Sequence, residues 1–156
     1  MSDAPDPTAR ARADARARGL AIDICERPQA RSLEEAAERL GLEPEGVVKS
    51  LVIRRGADDY LFALLPASRS MSWPLLRAAA GANRMALPDA AEAFAATGCE
   101  RGTISPVGST KPWPVFLDSA VASRIAIGSG SHRHSVLVDA GEFAAAYDAM
   151  VVALSE

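Results

Sequence analysis

Lysine is almost absent from this chain: of its 17 basic residues only Lys49 and Lys111 are lysines, and the rest are arginines. Generic positive charge is supplied by arginine, so each lysine is more informative than usual, because a compact rotatable ammonium is not interchangeable with a guanidinium fork. Cysteine is equally scarce. Cys25 and Cys99 stand far apart, form no CxxC pair, and have only His132 and His134 to help complete a zinc set, so both read as reduced thiols without a chemical role. No apolar run approaches the roughly 20 residues that cross a bilayer. The N-terminus, rich in Asp, Arg and Ala, lacks the apolar core of a signal peptide. These absences point to a cytoplasmic protein with no membrane partner. Positive charge is not in excess either. A net charge of −3 argues against a DNA-binding or RNA-coating surface and leaves room only for a local basic pocket.

What is present fits one globular domain: 156 residues, 49% hydrophobic and 24% charged, with a sizeable core. Residues 1–7, with Pro5 and Pro7 among small polar residues, read as a disordered tail, and structure is expected from Thr8 to the end of the chain. The Ala/Arg stretch that follows reads as a terminal helix, with Arg10, Arg12, Arg16 and Arg18 on a solvated face. A strand is expected over 20–25. Ser32 and Glu35 have capping-box spacing, and Gly41 closes the helix they open. The apolar runs 47–53 and 60–65 flank a polar turn and form an antiparallel hairpin. Helices are expected over 72–80 and 88–96, short strands over 115–117, 124–127 and 135–138, and a last helix over 140–153 that buries Phe143, Tyr147, Met150 and Val151.

Lys49 stands out inside this pattern. Alternation along a strand puts it on the side of Val47, Leu51 and Ile53, the expected buried side, where an ammonium is costly without a partner, a solvated cleft or an anionic ligand. The bland alternative is a strand-end lysine whose stem packs while its head reaches water. Two loops without periodicity join it as candidates. The first contains Gly102, Thr103, Ser105, Pro106 and Gly108, two glycines bracketing a Ser-Pro step, so that a ligand or another backbone can approach closely. It is neither a Walker loop nor a dinucleotide fingerprint. The second, Gly128, Ser129, Gly130 and Ser131, offers consecutive amides for an anion nest. Either one alone is more often a tight turn.

Taken in order, helix 32–40, the Val-Val-Lys-Ser-Leu-Val strand, the Gly-x-x-Ser-Pro-x-Gly loop, the Val-Phe-Leu-Asp strand and the last glycine loop resemble one family. It is the YbaK/prolyl-tRNA synthetase-associated domain, whose members are free-standing or synthetase-embedded editing domains for mischarged tRNA. The resemblance covers residues 20–147, and this chain is similar to a free-standing member. It implies a compact α/β domain, a curved, mixed, barrel-like sheet wrapped by helices, with the substrate held between sheet and loops.

By the same resemblance, Lys49 grips the phosphate and sugar end of the terminal adenosine, with Ser50 beside it. Gly102 has its carbonyl next to the scissile ester, and Gly128, Ser129 and Gly130 receive the aminoacyl group. Thr103, Ser105, Pro106 and Gly108 complete the expected substrate site. Thr103 departs from a frequent glycine and is expected to narrow the pocket. His134, alternating with Val136 and Val138, either lines the pocket or is structural, and Ser105 either contacts substrate or bonds its own backbone.

The expected function is a trans-editing deacylase that removes alanine, cysteine, serine or threonine from tRNA, with tRNA for proline foremost. A synthetase is a further candidate partner. Neither metal nor cofactor is implied, since an aminoacyl ester is already activated and needs positioning more than a Ser-His-Asp set. The alternative is a non-catalytic module that binds aminoacyl-tRNA or a nucleotide in the same pocket.

Overall fold

The computed structural model describes residues 6–156. Residues 1–5 of the expected tail lie outside the described residues, whereas Asp6 and Pro7 already belong to the first helix. In α1 (Pro7–Ala17) the Asp6 carboxylate caps the Thr8 amide at 2.9 Å. Proline is tolerated at this start because its missing N–H would be unpaired there in any case. Ala11 and Ala15, one turn apart, are buried, and the small side chains let α1 lie close against the body while its arginines face out.

After β1 (Asp23–Glu26) comes α2 (Leu33–Leu40). Ser32 accepts from the Glu35 amide at 3.1 Å, as its position predicts. The Glu35 carboxylate does not close the capping box; it pairs with Arg39 one turn on, at 2.9 Å. Gly41 ends the helix in the left-handed conformation. A short turn at Pro44–Gly46 leads into the antiparallel hairpin of β2 (Val48–Gly56) and β3 (Asp59–Pro66). There follow α3 (Trp73–Ala80), α4 (Ala90–Thr97), β4 (Val115–Asp118), β5 (Arg124–Gly128) and β6 (His134–Asp139).

The last helix is the clearest departure from the sequence pattern. α5 (Ala140–Ala146) stops at Tyr147, Asp148 turns the chain with a φ of 50°, and β7 (Met150–Val152) follows. Phe143 and Tyr147 do stack in the core, with ring centroids 5.0 Å apart. Met150 and Val151, expected to be buried with them, are 48% and 50% exposed. β4 needs a partner for its free edge, and β7 supplies one by parallel pairing from Phe116↔Met150 to Asp118↔Val152. Helical spacing of apolar residues carries no information about that edge.

The strands form a mixed α/β domain, as expected, but as two sheets. An antiparallel sheet runs β1-β6-β5, and a mixed sheet runs β2-β3-β4-β7. A single parallel bridge, Val47 to Ala126, joins them. The outer strands β1 and β7 form no ladder with each other among the described residues, so the barrel-like outline is not closed.

Both sheets contribute to one core, with Val52, Phe62 and Leu117 from the larger and Ile125, Val136 and Val138 from the smaller. A second cluster of Ile53, Leu61, Phe116, Leu76 and Leu154 covers the other face of the larger sheet. Hence β3 is an unbroken apolar run, the mark of a strand buried on both sides. The Lys49 side of β2 is therefore one of two covered faces, not the only one.

Candidate functional site

Beside the Val47–Ala126 bridge, where backbone pairing between the two sheets ends among the described residues, lies a cleft of about 500 Å³. One wall is α2, through Leu33, Ala36 and Leu40. The floor is the start of β2 with Lys49 and Ser50. The far side is built from the end of β5, the start of β6, and the loop that carries Gly102 and Ile104.

Two observations define its chemistry. First, among the described residues no aspartate or glutamate lines it, although the chain carries 20 of them; Lys49 and Arg27 are both present. Lys49, half-buried opposite Leu65 in the hairpin, has no ion-pair partner among the described residues. Second, Ser50 Oγ is the one buried side-chain polar atom without a hydrogen-bond partner among the described residues. Buried polar groups in folded proteins are normally paired, so a free hydroxyl next to an ammonium at the floor of one cleft suits the cleft to a polar, anionic ligand.

Of the residues singled out in the sequence, Lys49, Ser50, Gly102, Gly128 and His134 line this cleft. The others frame it. Thr103 is 1% exposed and ties its hydroxyl to the Glu100 carbonyl at 2.7 Å, so it does not narrow the pocket as expected. Ser105 is fully buried, outside the cleft lining, and accepts from the Val107 amide at 3.0 Å, the backbone bond that is the second of its two expected roles. Pro106, also buried, accepts from the Ser109 amide, and Gly108 donates its amide to Asp14.

In the second loop Ser129 donates to the His134 carbonyl at 2.7 Å and accepts from the Ser131 amide. The Gly130 amide is spent on the Thr103 carbonyl. With these amides occupied, the expected anion nest does not form. Gly128 is required for a different reason: a Cβ there would stand 2.4 Å from the Ile104 carbonyl oxygen, so it is another backbone, not a ligand, that comes close.

His134 is held in place, its Nδ1 2.9 Å from the hydroxyl of Ser131, which also accepts from the Arg133 amide. Ser131 was not separated from its loop neighbours by any sequence signal. Arg27 had none either. Its Nη1 donates to the Gly102 carbonyl at 3.3 Å across the mouth of the cleft, and its own amide donates to Arg133. His132, by contrast, leans out against Glu100, and Lys111 sits over Trp113 in an exposed loop. Cys25 lies outside the lining, and burial pushes its thiol up from the ordinary value, away from thiolate chemistry. Among the described residues no group of His, Cys, Asp and Glu is placed to hold a metal ion. None of the helices described is long and apolar enough to cross a membrane.

A cleft with two cations, the free Ser50 hydroxyl, a backbone carbonyl and an aliphatic wall suits an anionic ligand that carries a small apolar group. The comparison with known sequences bears on which one. Residues 27–145 match the aminoacyl-tRNA editing domain. The chain belongs to this family.

Among its relatives, the proline–tRNA ligase of Thermosipho africanus is 33% identical over 84 residues, 54% of this chain and 15% of the ligase. The protein named "Putative Cys-tRNA(Pro)/Cys-tRNA(Cys) deacylase EbsC" from Enterococcus faecalis is 30% identical over 86 residues, 55% of this chain and 52% of that protein. The chain thus spans a small part of the ligase and about half of the deacylase-named relative. A solved structure described as "Crystal structure of a putative trans-editing enzyme for prolyl tRNA synthetase" superposes with a TM-score of 0.85. It has 24% identity and covers 100% of this chain and 99% of that one, a likeness of fold. α1 lies ahead of the matched segment.

Proposed function

We propose that this editing domain acts in trans as a deacylase, hydrolysing the ester of a mischarged alanine, cysteine, serine or threonine on tRNA, with tRNA for proline the preferred carrier. The observation that carries this reading is the Lys49 ammonium, with no ion-pair partner among the described residues, in a cleft that no carboxylate of those residues lines. The named functions of the relatives favour the proline carrier. A cleft of this size lies in the range of about 300–1,000 Å³ typical of small-ligand sites, so it takes the aminoacylated terminal nucleoside and leaves the RNA duplex outside.

In this reading Lys49 holds the phosphate and sugar end as a point charge and is neither nucleophile nor base. Ser50 spends its free hydroxyl on the ribose. The Gly102 carbonyl, fixed by Arg27, accepts a hydrogen bond from the attacking water or from the free ribose hydroxyl beside the ester. Water adds to the ester carbon, the bond from that carbon to the ribose oxygen breaks, and the proton from water ends on the ribose oxygen. Free amino acid and uncharged tRNA are released. Positioning supplies most of the acceleration, because the acyl group is activated before it arrives. Ile104, Ala126 and Ile127 form the wall that receives a small side chain, and His134, steadied by Ser131, borders it.

A deacylation panel with Ala-, Cys-, Ser- and Thr-tRNA(Pro) tests the reading. The wild type is expected to release at least one amino acid, and Lys49→Ala to lose at least 100-fold. A wild type that binds these tRNAs yet leaves every ester intact would reduce the protein to a binding module.

A further inference from the structure

We infer that Arg27 is a second substrate-binding cation, which takes a backbone phosphate of the RNA next to the ester-bearing nucleoside. This rests on the proposed deacylase reading and deepens it: the substrate is then a phosphodiester-linked 3′ end, not an isolated aminoacyl nucleoside.

Arg27 lines the same cleft as Lys49 but from the mouth. Its position is fixed at both ends of the side chain. The backbone amide donates to the Arg133 carbonyl at 2.8 Å, which joins the start of the loop after β1 to the loop before β6. The guanidinium donates through Nη1 to the Gly102 carbonyl at 3.3 Å, across the opening. A guanidinium has five N–H donors in a planar fork. One is used here, and no carboxylate engages the group among the described residues.

Five of the 15 arginines are ion-paired among the described residues, Arg18 with Asp14, Arg39 with Glu35, Arg54 with Glu92, Arg55 with Asp59 and Arg124 with Asp23; Arg27 is not, and among the described residues it is the arginine that lines the cleft. An arginine held at a cleft mouth by a neutral carbonyl keeps its full charge available, and its fork matches the paired oxygens of a phosphate better than an ammonium does. Lys49 on the floor and Arg27 at the mouth thus mark the two ends of a cationic path along which a chain with spaced negative charges can lie.

The same contact gives the residue a second effect. A carbonyl oxygen has two lone pairs, so Gly102 can accept from Arg27 and from substrate at once. Phosphate binding at Arg27 therefore occurs beside the group that orients the reaction.

The test uses the full chain with three variants, Arg27→Ala, Arg27→Lys and, as a control on an exposed arginine outside the cleft, Arg12→Ala. Binding of an uncharged CCA-ended RNA minihelix is titrated against salt, and KM and kcat are measured with an alanyl minihelix and with alanyl-adenosine, which has no phosphodiester. Arg27→Ala is expected to weaken minihelix binding and raise its KM about tenfold or more. The slope of log affinity against log salt should shrink by about 0.7, one single-stranded phosphate. Arg27→Lys should recover the salt slope but only part of the affinity, and the rise in KM should be confined to the minihelix, while any loss of kcat from the freed Gly102 carbonyl falls equally on alanyl-adenosine.

If Arg27→Ala instead lowers kcat equally on both substrates and leaves the salt slope as it was, Arg27 merely orients Gly102 and the inference is overturned. If wild type binds the minihelix with the Arg27-dependent slope but hydrolyses neither ester, the inference stands and the deacylase reading falls.

Discussion

Two polar regions of this molecule are built on opposite rules. At the floor of the cleft, among the described residues, the Lys49 ammonium has no ion-pair partner and Ser50 Oγ no hydrogen bond. At the junction of α1 with the 102–108 loop and α5, the Asp14 carboxylate accepts from the Gly108 amide at 3.0 Å, from Arg18 at 3.0 Å and from the Tyr147 hydroxyl. Arg18 also lies 4.0 Å from the centre of the Tyr147 ring and donates to the Ala146 carbonyl. Burial alone would raise the Asp14 carboxyl, but these three donors outweigh it and hold it below the ordinary value. Burial and then the same contact push Tyr147 up, so its hydroxyl stays a donor. The contrast separates groups whose partners lie within the fold from groups left free to meet a ligand.

The comparison also shows how the cleft is kept in shape. Arg10 donates to the Gly98 carbonyl at 2.7 Å, and Gly108 fits against α1 only without a side chain, since a Cβ would stand 2.8 Å from the Ala11 nitrogen. α1 therefore braces both ends of the irregular stretch that delivers Gly102 and Ile104 to the cleft.

The sharpest way to break the contrast is to remove each centre in turn. Lys49→Ala should cost at least 100-fold in deacylation, read by amino-acid release, while denaturant unfolding moves by less than about 0.5 kcal/mol, because no ion pair of the ammonium is lost among the described residues. Asp14→Ala should do the reverse. It strands the Gly108 amide and the Tyr147 hydroxyl and should lower unfolding free energy by about 2–3 kcal/mol.

A pH series sharpens the same point. Since the folded Asp14 carboxyl lies below its unfolded value of about 3.9, its contribution is complete above that pH and is lost as pH falls through the lower folded value. Acid unfolding curves of Asp14→Asn should lack that portion of the pH dependence, and an unchanged curve would remove Asp14 from the account. The smallest effect belongs to Ser50→Ala. Deleting a hydroxyl that bonds nothing should leave stability unchanged or raise it by up to about 1 kcal/mol, while weakening substrate binding several-fold. A clear loss of stability would mean that the hydroxyl is already satisfied.

Much of the fold was legible because it rests on local rules. Ser32, Ser72 and Asp89 cap their helices, and Gly41, Gly81 and Gly98 end them with positive φ. The polar turn between two apolar runs made the hairpin. Where a non-local demand competed, the local reading failed: the stretch 140–153 has helical spacing, but its last residues are used to pair the edge of β4. The site divides in the same way. Lys49 was conspicuous by composition and placement, and the two glycine loops by their lack of periodicity. Which loop residues face the cleft was not legible, because Ser105, Thr103 and Ser129 have the polarity of ligand contacts and spend it on neighbouring backbone.

By itself, then, the sequence determined the helices, the hairpin, the rare lysine and the family resemblance, all of which depend on residue type and spacing along the chain. The tertiary structure alone decided that a cleft lies beside the bridge between the two sheets, that Arg27 and Ser131 belong to it, and that no carboxylate of the described residues lines it. Those facts depend on which distant backbones approach each other, and side-chain chemistry acquires its role only after that approach has fixed what each group can reach.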